Sequence, residues 1–175
     1  MHSNVKKIAM IGMLLAIQII LGRFVSITLP VVKLSFMFLP RALTALFFGP
    51  LWGAAAAVMG DFLVTIMGPY AYFPPMATTA LLEGIVYALF LYRRPLTTGR
   101  VVACVITESV VCSILLQTYW LTVLTGAGFV ELLPVRLLQN AIIIPVQIVC
   151  IRGVAPMVST LLERGHLITP RAVAK

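Results

Sequence analysis

Residues 34–67 read LSFMFLPRALTALFFGPLWGAAAAVMGDFLVTIM. Two apolar runs, Leu34 to Phe48 and Leu51 to Met67, meet at the turn Gly49-Pro50. Each run carries one charge at depth: Arg41 in the first, Asp61 in the second. Asp61 is the single aspartate of the chain. A charged side chain at the middle of a lipid-facing helix costs roughly 2.5–3.5 kcal/mol on insertion scales, so such residues turn toward a bundle interior or a polar cavity. The stretch therefore predicts membrane helices packed around something polar.

The rest of the chain extends this pattern. Of 175 residues, 61% are hydrophobic and only 10% charged, far less charge than a soluble domain of this length carries. We read residues 1–175 as a single all-α transmembrane domain without a soluble module. The net charge of +8 does not point to nucleic acid, because the basic residues are scattered between apolar runs and form no stripe. Topology and an anionic ligand explain them better. The start, MHSNVKK, precedes an apolar run with no small-residue cleavage site after it, which predicts a retained first helix. Cys104, Cys112 and Cys150 lack CxxC spacing, and His2 and His166 stand at the chain ends, so no metal or cofactor site is expected. The cysteines read as small packed apolar residues.

Breakers divide the chain into six segments: Ile8 to Gly22 or on to Ile27, Leu34 to Phe48, Leu51 to Met67, Met76 to Tyr92, Val101 to Leu124, and Pro134 to at least Ile151. Pro134 suits a first helical position. Several segments fall short of the ~20 residues that span a bilayer comfortably. Pro40 and Pro145 predict distortions in spans two and six. Lys6, Lys7, the link Arg93 to Arg100, and the tail residues Arg164, Arg171 and Lys175 all fall on one side. The positive-inside rule makes that side cytoplasmic, with both termini inside. The opposite loops carry Arg23 and Lys33, then the stiff uncharged stretch Gly68 to Pro75, then Glu131 between Thr125 and Leu133. Arg23 and Lys33 fit either interfacial snorkelling or a vestibule that attracts anions.

The inventory of polar residues narrows the chemistry. There is no GxxxxGK[ST] segment for ATP, no second aspartate for an aspartyl protease, no HExxH helix, and no histidine inside a span for a hydrolase. A membrane enzyme is thus disfavoured. Arg41 and Asp61 fit an internal ion pair. Glu83 and Glu108 lie near the centre or inner half of spans four and five, within reach of inner-side arginines. Gln117, Tyr119, Trp120, Arg136, Gln139 and Asn140 share the outer halves of spans five and six, and Arg136 lies three and four residues before the two amides, on one helix surface. Tyr70, Tyr72 and Phe73 stand in the stiff loop. The aromatic residues fit an interfacial belt. Taken together with the amides and arginine, they also fit a flat, hydrogen-bonding, anionic ligand. Small residues four apart, Gly12 with Ala16, Gly53 with Ala57 and Ala56 with Gly60, let helices approach closely, either inside the bundle or against another membrane subunit.

These residues carry a resemblance. The stretches Val32-Lys33-Leu34-Ser35-Phe36-Met37-Phe38-Leu39-Pro40-Arg41-Ala42-Leu43, Phe47-Phe48-Gly49-Pro50-Leu51-Trp52-Gly53, Gly60-Asp61-Phe62, Gly68 to Pro74 and Glu83-Gly84-Ile85-Val86-Tyr87 are similar to the substrate-binding S components of energy-coupling-factor (ECF) vitamin importers, most closely the folate-type group. Ala57 replaces a frequent glycine of the family, and Pro74-Pro75-Met76 replaces its usual Pro-Gly-Phe. The resemblance implies six helices, an outward-facing vitamin site, and association with a transmembrane coupling protein and two ATPase subunits in a cell membrane. It implies that Ala9, Gly12 and Ala16 meet the coupling protein. For folate, it implies a pterin held deep among Tyr, Trp, Asn and Gln groups, carboxylates near Arg23, Lys33 or Arg136, and Asp61 as pterin acceptor if Arg41 leaves it free. The ligand set is then Arg23, Lys33, Arg41, Asp61, Tyr70, Tyr72, Phe73, Gln117, Trp120, Arg136, Gln139 and Asn140. An S component for another vitamin such as pantothenate, and a stand-alone proton-coupled carrier using Asp61, Glu83 or Glu108, are the alternatives.

Overall fold

Turn chemistry sets the helix ends. The computed structural model describes residues 2–24, 27–28, 33–68, 72–126 and 128–164. Helix α1 spans His2–Arg23, α2 Phe38–Phe48, α3 Pro50–Ile66 and α4 Pro74–Leu91. Helix α5 runs over Thr98–Thr125 and α6 over Phe129–Arg164. Between α1 and α2, the two-residue strands β1 (Ile27–Thr28) and β2 (Lys33–Leu34) pair antiparallel, Ile27 opposite Leu34. Four helices are long and apolar enough to cross a bilayer; α2 and α3 are shorter. Eleven residues of α2 rise only ~16 Å at 1.5 Å per residue, about half a hydrocarbon core.

Three features depart from the sequence expectations. Pro40 is the third residue of α2, where the amide that proline lacks would have no helical partner in any case. The segment is short because its helix starts at Phe38, after a turn closed by the Leu39 amide on the Phe36 carbonyl at 3.2 Å. The sixth helix begins at Phe129, not at Pro134, which lies inside it with Pro145 and Pro156. Glu131 explains the earlier start: its carboxylate accepts from the Gly128 amide at 3.3 Å and caps the first turn. The third departure is in α5. Its middle, Ser109–Gln117, is π-helical between α-helical ends Thr98–Glu108 and Thr118–Thr125.

Glycine and alanine set the close contacts. Gly49 joins α2 to α3 at φ 88°, a left-handed value that disfavours a side chain, and the Tyr92 ring lies 3.1 Å from where a Cβ would sit. Pro50 then opens α3. A Cβ on Gly84 of α4 would meet the Ala54 backbone of α3 at 2.7 Å, and one on Gly53 would meet Ala45 of α2 at 2.8 Å. Gly53, Ala56, Ala57 and Gly60 are buried, so the small-residue spacing in α3 serves packing within the chain. The apolar core joins Leu46, Tyr87, Leu91, Val101, Val105, Ile151 and Ala155, at the end of the bundle that bears Gly49 and the α4–α5 link. Cys104 and Cys112 are buried free thiols. Outward faces are apolar: Leu51, Leu89, Val149 and Met157 are all exposed, the surface a lipid solvent accepts and water does not.

Candidate functional site

The other end of the bundle is hollow. A cavity of about 470 Å³ lies between α2, α3, α4, α5 and α6, within the 300–1,000 Å³ usual for small-molecule sites. On α6 its wall is Arg136, Gln139, Asn140, Ile143 and Gln147. Those spacings of three, four, seven and eleven residues form one stripe of an α-helix. On α5 the wall is Glu108, Ser113, Gln117 and Leu121, where the first step is five residues. A five-residue step leaves the face of an α-helix. The i→i+5 bonding of a π-helix brings it back, so the π-helical turns are what aim Ser113 and Gln117 inward. Asn140 fastens the two walls: its Nδ2 donates to Ser113 Oγ at 3.1 Å and to the Arg136 carbonyl at 2.8 Å. Arg136 in turn donates from Nη1 to Gln139 Oε1 at 3.4 Å.

An ion network forms one side of the cavity. Arg41 Nη2 pairs with Asp61 Oδ1 at 3.3 Å, and Arg41 Nη1 pairs with Glu83 Oε2. The predicted Arg41–Asp61 pair is present and has a third member. Glu83 finds Arg41 of α2, and not an inner-side arginine, because α2 and α4 both pack on α3 through Gly53 and Gly84. The cavity thus holds two guanidiniums, Arg41 and Arg136, against three carboxylates, Asp61, Glu83 and Glu108. Glu108 is deeply buried and lies within hydrogen-bond reach of Gln147 and of Ser109 Oγ at 3.5 Å. Among the described residues, two buried polar atoms on the wall have no partner: Arg41 Nε and Gln147 Oε1. A buried polar atom left unpaired costs about 1–3 kcal/mol, so both are places for a ligand atom or water to bond.

Of the residues singled out from sequence, Arg41, Asp61, Gln117, Arg136, Gln139 and Asn140 line this one cavity. Tyr72, Phe73 and Trp120 form an aromatic group outside its lining: Tyr72 meets Phe62 edge-on at 4.9 Å, and Phe73 meets Trp120 at 6.4 Å, with Tyr119 5.0 Å from Trp120. Phe73 ties the segment before α4 to α5, and Tyr72 ties it to α3. The Trp120 indole N–H is buried and has no partner among the described residues. Arg23 is exposed at the end of α1. Lys33 lies in β2, where only its backbone is described, and Tyr70 lies outside the described residues. Sequence reasoning left Glu83 and Glu108 to internal pairing or to a carrier, counted Gln147 among the polar groups at membrane depth without giving it a ligand role, and did not single out Ser35 or Ser113. Gln147 carried a signal, being eleven residues, three helical turns, beyond Arg136. Ser113 carried none without the π-helical register. On α1, Ala9, Gly12 and Ala16 are all exposed, and a Cβ on Gly12 would meet no atom within 4 Å.

Comparison with known proteins places the chain. Residues 6–155 match the family described as ECF transporter, substrate-specific component. The chain belongs to that family. This S component is 31% identical over 149 residues to the folate transporter FolT of Clostridium novyi (strain NT), covering 85% of this chain and 87% of that protein. It is 26% identical over 152 residues to the FolT of Leuconostoc mesenteroides, covering 83% and 82%. Among solved structures, FolT bound with folic acid superposes with a TM-score of 0.73 at 31% identity, covering 81% of this chain and 87% of that one. The S component of a bacterial ECF transporter superposes at 0.62 and 24% identity, covering 89% and 98%, a likeness of fold. The S component is accordingly a multi-pass protein of the prokaryotic plasma membrane and part of a transport system, which sets aside the stand-alone carrier.

Proposed function

We propose that this S component binds folate or a closely related pterin and delivers it to a transmembrane coupling protein powered by two ATPase subunits, without hydrolysing ATP itself. The observation that carries the reading is the single polar stripe Arg136, Gln139, Asn140 and Gln147 facing Gln117 and Glu108 across the cavity. It offers amides and a carboxylate to read a flat heterocycle and a guanidinium for a carboxylate tail. The relatives named for folate and the folic acid-bound FolT support the choice of vitamin.

The basic α4–α5 link and the N-terminal lysines set the cytoplasmic side. The cavity then lies toward the external side, as an importer needs, on the same side as the segment before α4, where Phe73 meets Trp120 and Tyr72 meets Phe62. The exposed stripe Ala9, Gly12 and Ala16 supplies the close helix contact for the coupling protein.

The test is the absorbance spectrum of protein purified from folate-supplied cells. A near-ultraviolet pterin band that persists through gel filtration supports the reading. A spectrum without it, together with retention of labelled pantothenate, overturns the choice of vitamin.

A further inference from the structure

At the inner end of the cavity, Glu108 is set apart from the other two carboxylates. Asp61 and Glu83 are both engaged by Arg41. Among the described residues Glu108 joins no ion pair, yet it is 6% exposed. A carboxylate sealed from water without a cation is costly, and several hydrogen bonds are needed to offset this. Its protein partners are few: the distant Ser109 hydroxyl and the Gln147 amide. Beside it, Gln147 is 4% exposed and its Oε1 accepts from nothing among the described residues. Both side chains line the cavity. The inner end is therefore a cluster of acceptors waiting for donors.

We infer that Glu108 and Gln147 select the 2-amino-4-oxopyrimidine edge of the ligand: Glu108 accepts from the ring N3–H and one hydrogen of the 2-amino group, and Gln147 Oε1 accepts the second amino hydrogen. This rests on the folate reading and refines it, moving the recognition of the ring from Asp61 to a different carboxylate. A carboxylate has two oxygens and about four lone-pair sites, so Glu108 can serve this edge and keep its link to Gln147. Two parallel N–H donors on a carboxylate make the fork geometry that is both strong and directional. The arrangement also orients the ligand. Arg136 lies eleven residues from Gln147, which is ~16 Å along α6. The donor-rich ring faces inward and an anionic tail faces Arg136, with the Asn140–Ser113 tie between them, one turn from Arg136.

Selection by unpaired acceptors is selection against ligands that lack the donors, because the acceptors then stay buried and unsatisfied. The test compares folate with 2-desaminofolate on wild-type protein and on E108Q and Q147M, by calorimetry in detergent. Wild-type protein is expected to bind the desamino compound about ten- to a hundredfold more weakly than folate. E108Q is expected to lose folate affinity by a similar factor and to show little further discrimination between the two ligands; Q147M shows a smaller loss of the same kind. Equal binding of both compounds to wild-type protein overturns the inference, whatever the variants do. Equal loss of both compounds in E108Q and Q147M also overturns it, since that marks a structural role. Wild-type protein that binds neither compound overturns the folate reading and this inference with it; binding of folate without discrimination overturns this inference alone.

Discussion

Asn140 Nδ2 donates to Ser113 Oγ at 3.1 Å, joining the first third of α6 to the π-helical turns of α5. The amide is 3% exposed and also bonds the Arg136 carbonyl one turn back. It thus fixes the spacing of the two walls and the position of the cavity's outer arginine. N140A removes a buried donor, leaves the Ser113 hydroxyl without it, and loosens the π-helical register. The cost of such a loss is about 1–3 kcal/mol, equivalent to about ten- to a hundredfold in affinity. Calorimetric titration of N140A with folate checks this, with S113A expected to lose less. Wild-type affinity in N140A means that the tie does not shape the site.

Arg41 stands between Asp61 and Glu83. Removing the guanidinium leaves two carboxylates facing each other in a low-dielectric interior. Breaking a buried network from one side typically costs about 3–5 kcal/mol; the partial exposure of Asp61, at 28% of its side chain, reduces that. R41M is therefore expected to lower the melting temperature in detergent strongly. The triple variant R41M/D61N/E83Q, which removes all the charges together, is expected to recover most of the loss. A triple variant less stable than R41M would show that the charges do not act as one network.

Much of this architecture is legible in residues 34–67. The turn at Gly49-Pro50 and the charges Arg41 and Asp61 announce two short helices around a polar interior, and the structure pairs those charges. The outer-half group Gln117, Arg136, Gln139 and Asn140 also falls on one cavity, because three- and four-residue spacing maps directly onto a helix face. What stayed hidden depends on register. Ser113 reaches the cavity only because nine residues of α5 are wound with an extra residue per turn, and no residue in SVVCSILLQ marks that winding. Trp120 illustrates the limit of composition: an indole near a polar group fits either an interfacial belt or ligand stacking, and its packing on Phe73 and Tyr119 is set by the fold, not by its residue type.

Gly84 and Gly99 make a matched pair for testing the close packing of α3 on α4. A Cβ on Gly84 would lie 2.7 Å from the Ala54 amide and the Gly53 carbonyl, all backbone, whereas a Cβ on Gly99 would meet nothing within 4 Å. Overpacking against backbone costs typically about 1–3 kcal/mol or more. G84A is expected to melt several degrees below wild type, and G99A close to it. The scan of both variants in one detergent settles the point. Equal melting of G84A and G99A would contradict the tight contact.

Arg136 and the ligand's tail should be coupled. Arg136 lines the cavity near its outer end and is held by Gln139. Replacing it by glutamine removes a charge that a ligand carboxylate would meet there. A charge-assisted hydrogen bond contributes about 1.5–3 kcal/mol, so R136Q is expected to weaken folate binding about tenfold or more. Pteroate, which lacks the glutamyl group, should bind R136Q and wild type more nearly alike. Should R136Q weaken both ligands to the same extent, the arginine acts on the ring or on the fold, and the tail lies elsewhere.

The exposed stripe on α1 should separate binding from uptake. Ala9, Gly12 and Ala16 do not line the cavity, and all three are exposed. Small residues at such positions allow a second helix to approach to backbone contact. A Cβ on Gly12 would meet nothing within 4 Å and Ala16 is exposed, so G12L and A16L add bulk on the outer face, and folding and folate affinity in detergent should match wild type. A partner helix, however, would be held off by the added side chain. In cells that supply the coupling protein and its ATPases, labelled folate uptake should fall at least severalfold, and co-purification of those subunits with the variant should fall with it. Uptake at the wild-type level in G12L/A16L would mean that the coupling protein docks on another face, and the apolar stripe would then be no more than a lipid-facing surface.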